Sequence, residues 1–276
     1  MKTKKSVVVI ANISVVVIIF LLLFPLIMLI LNAFRETGDI YSKPLGLPDE
    51  FYIGNFSYIF KQTQFTRIFR NSFIIAIVTT LFGIIVTSLS GYAISRFNFK
   101  GKNLLLGWLL ASQAFPGILL VIGIFTLYNK LGLYNSLFGL VILHTMSTIP
   151  FSSSLMTSYF ESIPIELEEA ALIDGCTQFK ALRKVVFPLA IPGIIAVGTF
   201  TFLLSWNEFL FALVMMRESA KQTLPVFLNT SFVGTGGAVE WGSLSAAALL
   251  TALPPILIFL FAQRYLIGGL TKGAIK

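Results

Sequence analysis

Residues 168–193 read EEAALIDGCTQFKALRKVVFPLAIPG. The segment is charged and carries a glycine near its middle, yet the chain around it is strongly apolar. Of 276 residues, 56% are hydrophobic and 12% charged, with a mean hydropathy of +0.88. A soluble domain carries roughly 25% charged residues. Apolar runs on both sides of the segment reach the ~20 residues, or ~30 Å of helix, that a bilayer core demands. The chain therefore reads as an all-α, polytopic membrane protein that keeps this stretch outside the lipid.

Hydropathy predicts six transmembrane helices near 7–32, 71–95, 104–128, 135–158, 188–216 and 242–266 in one transmembrane domain, with the loop 161–188 between spans four and five. The opening apolar run is about twice a signal-peptide core and lacks a small-residue cleavage site, so it reads as an uncleaved first span. With both termini cytoplasmic, the inner segments collect Lys2, Lys4, Lys5, Arg96, Lys100, Lys102, Lys180, Arg183, Lys184, Arg264, Lys272 and Lys276. The inner side then sums to +7 and the outer to +1, the bias that cytoplasmic loops show. The net charge of +8 thus needs no nucleic-acid partner. A single cysteine, Cys176, excludes an intrachain disulfide.

The quoted stretch carries helix punctuation. Ser162 is a candidate N-cap, Pro164 falls near the first position, and Glu166, Glu168 and Glu169 lie where the helix dipole favours anions. Gly175 stops the helix. A second, basic helix follows over residues 177–187, with Pro188 and Pro192 breaking the chain into span five. Two short helices meeting at a glycine form a knob too small to be a core. It must dock on something outside the bilayer, and anionic lipid repels its glutamates.

These residues resemble the EAA loop of ABC-importer permeases, E-A-A-x3-G-x9-I-x-L-P. Glu169, Ala170, Ala171, Gly175 and Pro188 match, Asp174 is typical before the glycine, and Val185 and Phe187 replace the usual Ile and Leu. Further stretches, among them NSFIIAIVTTLFGIIVTSLSGYAISRFNFKGK, LGLYNSLFGLVIL, TFLLSWNEFLFAL and QRYLIGGLTKGAIK, narrow the likeness to binding-protein-dependent permeases of the maltose and oligosaccharide type. It covers about residues 65–276. The resemblance implies a coupling helix that docks in a cleft of a cytoplasmic ATPase. Ala170 and Ala171 would permit close approach, Glu169 would pair with a basic group, and Gly175 would allow a sharp exit. It also implies a second related permease, an ATPase dimer using ATP and Mg, an extracellular solute-binding protein, and the bacterial cytoplasmic membrane. The chain has no G-x-x-x-x-G-K-S/T phosphate loop, so the ATP chemistry belongs to a partner and this chain is no enzyme. It binds no cofactor of its own, and no metal-ligand cluster is evident.

Polar residues inside spans are the remaining signals. Glu208 lies nine residues before Arg217, ~13 Å along an uninterrupted helix. With Trp206 and Asn207 it either lines a sugar route, meets a partner subunit, or is buried for structure. Gln113, beside Pro116 and Gly117, suggests a kink facing a cavity. His144, the one histidine, reads as a hydrogen-bonded packing residue, because a proton relay needs further ionisable groups in the bilayer. Gly83, Thr87, Gly91 and Ser95 recur every four residues. Such a small-residue stripe serves internal packing or a second subunit. An importer of another solute, such as glycerol phosphate or a polyol, fits the same sequence. A stand-alone secondary carrier fits less well, lacking paired carboxylates and inverted repeats.

Overall fold

The computed structural model describes the backbone of residues 5–233 and 237–273, and the side chains of 11–61, 63–233 and 237–265. Lys2, Lys4 and Lys276, the side chains of Lys5 and Lys272, and residues 234–236 of the last long loop lie outside the described residues. The chain is built of helices: α1 (Lys5–Ala33), α2 (Thr37–Ser42), α3 (Gly54–Gln62), α4 (Phe65–Arg96), α5 (Lys102–Gln113), α6 (Gly117–Lys130) and α7 (Leu137–Glu161). Then follow α8 (Glu166–Ile173), α9 (Gln178–Ala181), a π-helical turn Leu182–Val186, α10 (Phe187–Trp206), α11 (Leu210–Met215), α12 (Leu224–Thr230) and α13 (Trp241–Gly273). Among the described residues, five helices are long and apolar enough to cross a membrane, and α5 with α6 make a sixth span only as a pair bent by 99°.

The kink expected at Pro116 within the span near 104–128 is thus a full break between two helices. Pro116 has no amide to donate and is extended, with ψ 125°, and its ring disfavours helix in the residue before it. The expected fifth span, 188–216, is likewise divided: α10 ends at Trp206 and α11 starts at Leu210.

Contacts divide the chain into two units, residues 1–66 with 228–253, and 67–227 with 254–276. In the first, residues 11–27 of α1 are exposed along their whole length. Such a surface suits lipid or another membrane protein, not water. The end of α1 is fixed by Arg35, a buried cation. It donates from Nη2 to the carbonyls of Asp39 (2.9 Å) and Lys43 (2.8 Å), closing the loop around α2. Asn55 Nδ2 donates to the carbonyls of Ala33 and Arg35 at 3.0 and 2.7 Å, tying α3 to the same corner.

The second unit holds the bundle. The stripe on α4 is consumed within the chain: a Cβ at Gly91 would stand 2.9 Å from Met156 Cβ, and one at Gly83 would stand 3.1 Å from Thr201 Cγ2. Thr87 between them is fully buried. Small residues thus bring α4 against α7 and α10, where hydroxyls bridge the helices. Ser90 meets Ser153 at 3.1 Å and Ser152 meets Thr201 at 3.2 Å, as interhelical polar contacts in lipid do. In the turn before α7, Asn135, at φ 55°, accepts from the amides of Arg217 and Glu218, and its Nδ2 donates to Glu218. Lys221 and Asn135 hold the Glu218 carboxyl below its ordinary range through hydrogen bonds.

Candidate functional site

Two polar constellations stand out in the second unit. The first is the loop 161–188. Its helix α8 starts one turn later than the sequence signals suggest. Glu166 is its first residue, while Ser162 closes α7 and donates to the Tyr159 carbonyl at 2.7 Å. The C-terminus is a Schellman motif: the amides of Gly175 and Cys176 donate to the carbonyls of Leu172 and Ala171, both at 3.0 Å. Gly175 takes φ +84° with open space around it, a conformation that favours glycine. The second helix does not stop at Pro188, contrary to expectation. Gln178–Trp206 runs as one span, and Pro188 sits in the first turn of α10. The π-helical turn explains this. The Phe187 amide donates to the Leu182 carbonyl, five residues back, widening the helix just where the proline ring would clash with the turn before it.

The expected docking residues divide by exposure. Glu169, Ala170, Asp174, Gly175 and Pro188 are exposed, whereas Ala171 is buried. Ala171 therefore packs inward and offers no surface for close approach. Around Ala170, large apolar side chains face outward: Ile173 is 86% and Phe179 72% exposed, with Leu172 exposed as well. An apolar tip of this kind, bordered by Glu169 and Asp174, fits a protein partner.

The root of the loop is held by one of the three glutamates that the sequence marks only as suited to the helix dipole. Glu168 is buried. It accepts a hydrogen bond from the Tyr92 hydroxyl and another from Arg96 Nε at 3.2 Å. Arg96 Nη2 also donates to the Ile163 carbonyl at 2.9 Å. Both side chains of the ion pair are hidden, 8% and 7% exposed. Glu168 and Ala171, three residues apart on one face of α8, are both buried, whereas Glu166 and Glu169 are exposed.

The second constellation lies at the break between α10 and α11. Glu208 stands in that break. Oε1 accepts from the Phe211 amide at 2.7 Å and Oε2 from the Ala212 amide at 3.0 Å, satisfying first-turn donors that α11 leaves open. His144 Nε2 lies 3.1 Å from Glu208 Oε2, and its Nδ1 lies 2.8 Å from Ser205 Oγ. An ionised carboxylate only accepts, so Nε2 carries the proton and, in the neutral ring, Nδ1 accepts from the serine. Two ionisable groups thus meet inside the bundle, which the sequence did not anticipate. Trp206 does not line a route: it is 2% exposed, stacked on Phe202 and edge-on to Phe69. Asn207 is exposed and donates to the Leu203 carbonyl at 2.9 Å. Gln113 ends α5 and is exposed, and no hydrogen bond among the described residues joins it to Glu208. Among these residues no group of three or more His, Cys, Asp or Glu could hold a metal ion.

Comparison with known proteins adds the context. Residues 80–272 match the family described as binding-protein-dependent transport system inner membrane component. A diacetylchitobiose uptake system permease protein of Streptomyces coelicolor is 34% identical over 96% of both chains. A trehalose/maltose transport system permease protein of Thermococcus litoralis is 33% identical over 96% of this chain and 95% of its own. Among solved structures, a chain of a bacterial ABC transporter involved in import of the acidic polysaccharide alginate superposes with a TM-score of 0.82. That likeness covers 96% of this chain and 99% of the other at 21% identity, and it concerns the fold.

Proposed function

This chain belongs to the binding-protein-dependent transport system inner membrane components, and on that premise we propose that it is the permease half of a carbohydrate importer driven from its cytoplasmic loop. The observation that carries the reading is the split character of that loop: an exposed apolar tip at Ile173 and Phe179 on a root fixed by buried Glu168. A tip needs a partner, and a fixed root lets the partner move the spans. The partner is a separate ATPase dimer that uses ATP and Mg. A related second permease completes the channel, and an extracellular binding protein delivers the solute. The termini and the loop 161–188 lie in the cytoplasm, as the charge split of the sequence favours.

A carbohydrate is the favoured cargo because the relatives described above are permeases of diacetylchitobiose and trehalose/maltose systems. The test has two parts. Tagged chain purified from native membranes in mild detergent should bring down a second permease and a phosphate-loop ATPase, and purification alone would sink the assembly. Thermal shift of the associated binding protein against disaccharides, glycerol phosphate and polyols then decides the cargo. Stabilisation by glycerol phosphate alone would overturn the carbohydrate assignment.

A further inference from the structure

The root of the loop does more than anchor it. We propose that Tyr92, Arg96 and Glu168 form a rigid joint that makes α8 and the cytoplasmic end of α4 move as one body, so that displacement of the loop is passed into the bundle through α4. The proposal deepens the coupling role given above and rests on it.

Three observations converge. Glu168 uses both carboxylate oxygens, one on Tyr92 and one on Arg96. An apolar contact tolerates sliding, but a carboxylate held from two directions fixes position and orientation together. Both charges are hidden from solvent, so separating them would leave each uncompensated in an apolar setting, and the pair resists opening as the loop moves. Arg96 also reaches the Ile163 carbonyl, gripping the turn between α7 and α8 as well as α8 itself. One residue in the last turn of α4 thereby holds two points of the loop, where the negative end of the helix dipole also favours a cation.

What α4 would do with that displacement follows from its packing. It has 32 residues, about 48 Å of helix. Its Gly91 and Gly83 lie against α7 and α10 with no side chain to cushion the contact. Close-packed helices shift as units rather than deform smoothly. Movement at Arg96 is therefore carried along α4 to the helices on which it rests. Tyr92, Arg96 and Glu168 are positioning residues: they act through the loop and need touch no solute.

The joint can be read without knowing the cargo. In the full complex with its ATPase, and with Cys176→Ser as background, spin labels are placed at Asn98 and Glu166, both exposed. Their distance is measured without nucleotide and after trapping with ATP and vanadate. The intact joint should give one narrow distribution, unchanged by trapping. Glu168→Gln and Tyr92→Phe should each broaden it and shift it on trapping while the ATPase stays bound. Tyr92→Phe removes a single hydroxyl and keeps the test alive if Glu168→Gln fails to assemble. A distance that changes with nucleotide in the intact complex overturns the joint, as do variants that behave like the parent. Loss of ATPase from the joint variants would also overturn it, because Glu168 would then serve only the docking surface. If Ala170→Trp and Gly175→Val instead both leave the ATPase bound, the docking role itself fails, which is a separate result.

Discussion

The imidazole of His144 lies between Ser205 and Glu208, 2.8 Å from the hydroxyl and 3.1 Å from the carboxylate. The same carboxylate accepts from the amides of Phe211 and Ala212. A histidine on α7 is thereby linked to the group that starts α11, across the interruption of the fifth span. The contact joins three helices in a region where unsatisfied polar groups are expensive.

Removing both side chains should therefore cost the bundle less than the sum of the two single removals. Glu208→Ala leaves two amides and the His144 Nε2–H without their acceptor, at about 1–3 kcal/mol per buried unsatisfied donor. His144→Ala leaves Glu208 its two amides and should cost less. The double variant should show a coupling of at least about 0.5 kcal/mol in thermal unfolding of the detergent-solubilised complex. Strict additivity would mean that the pair is incidental.

The loop tip and the loop interior should respond differently to bulk. Ala170 is exposed and Ala171 buried, so Ala170→Trp should release the ATPase while permease stability is kept. Ala171→Trp should lower stability itself, by about 1–3 kcal/mol of overpacking. Gly175→Val should also fail in docking, because a branched side chain at φ +84° is strained by at least about 1–2 kcal/mol. Co-purification of the ATPase and a melting curve for each variant separate these outcomes. Normal ATPase retention in Ala170→Trp and Gly175→Val together would remove the docking role from the loop.

Glycines on two helices give a matched pair. Gly91→Ala places its methyl 2.9 Å from Met156 Cβ and 3.0 Å from the Thr157 amide nitrogen, and should destabilise the bundle by about 1–3 kcal/mol. Gly107 on α5 faces open space. Gly107→Ala should be neutral or stabilising by up to about 1 kcal/mol, since alanine is the better helix former. Equal melting temperatures for the two variants would contradict the close approach of α4 to α7.

Orientation is read by labelling. In a Cys176→Ser background, a cysteine at exposed Asp49 should react with an impermeant maleimide in intact cells. One at Gly175 should react only after the membrane is opened. The reverse pattern would place the loop 161–188 outside and remove its access to ATP.

The sequence by itself determined the class of molecule. Long apolar runs admit only lipid as their surroundings, and a charged, glycine-punctuated segment between two of them cannot lie in the bilayer. Its glycine at 175 dictated the sharp helix end, because few residues take positive φ. These are local properties, written in composition and in backbone preference. Pairing across helices was decided by the tertiary structure. Nothing in EEAA tells which glutamate is exposed and which is buried until α4 brings Tyr92 and Arg96 beside it. His144 and Glu208 are 64 residues apart, and only the packing of α7 on the α10–α11 break makes them partners. The breaks themselves were half legible. Pro116 announced the bend after α5, whereas Pro188 suggested a stop that the π-helical turn at Leu182–Val186 absorbs. Proline removes one hydrogen bond, but whether the helix ends or widens there depends on the neighbours that hold its axis in line.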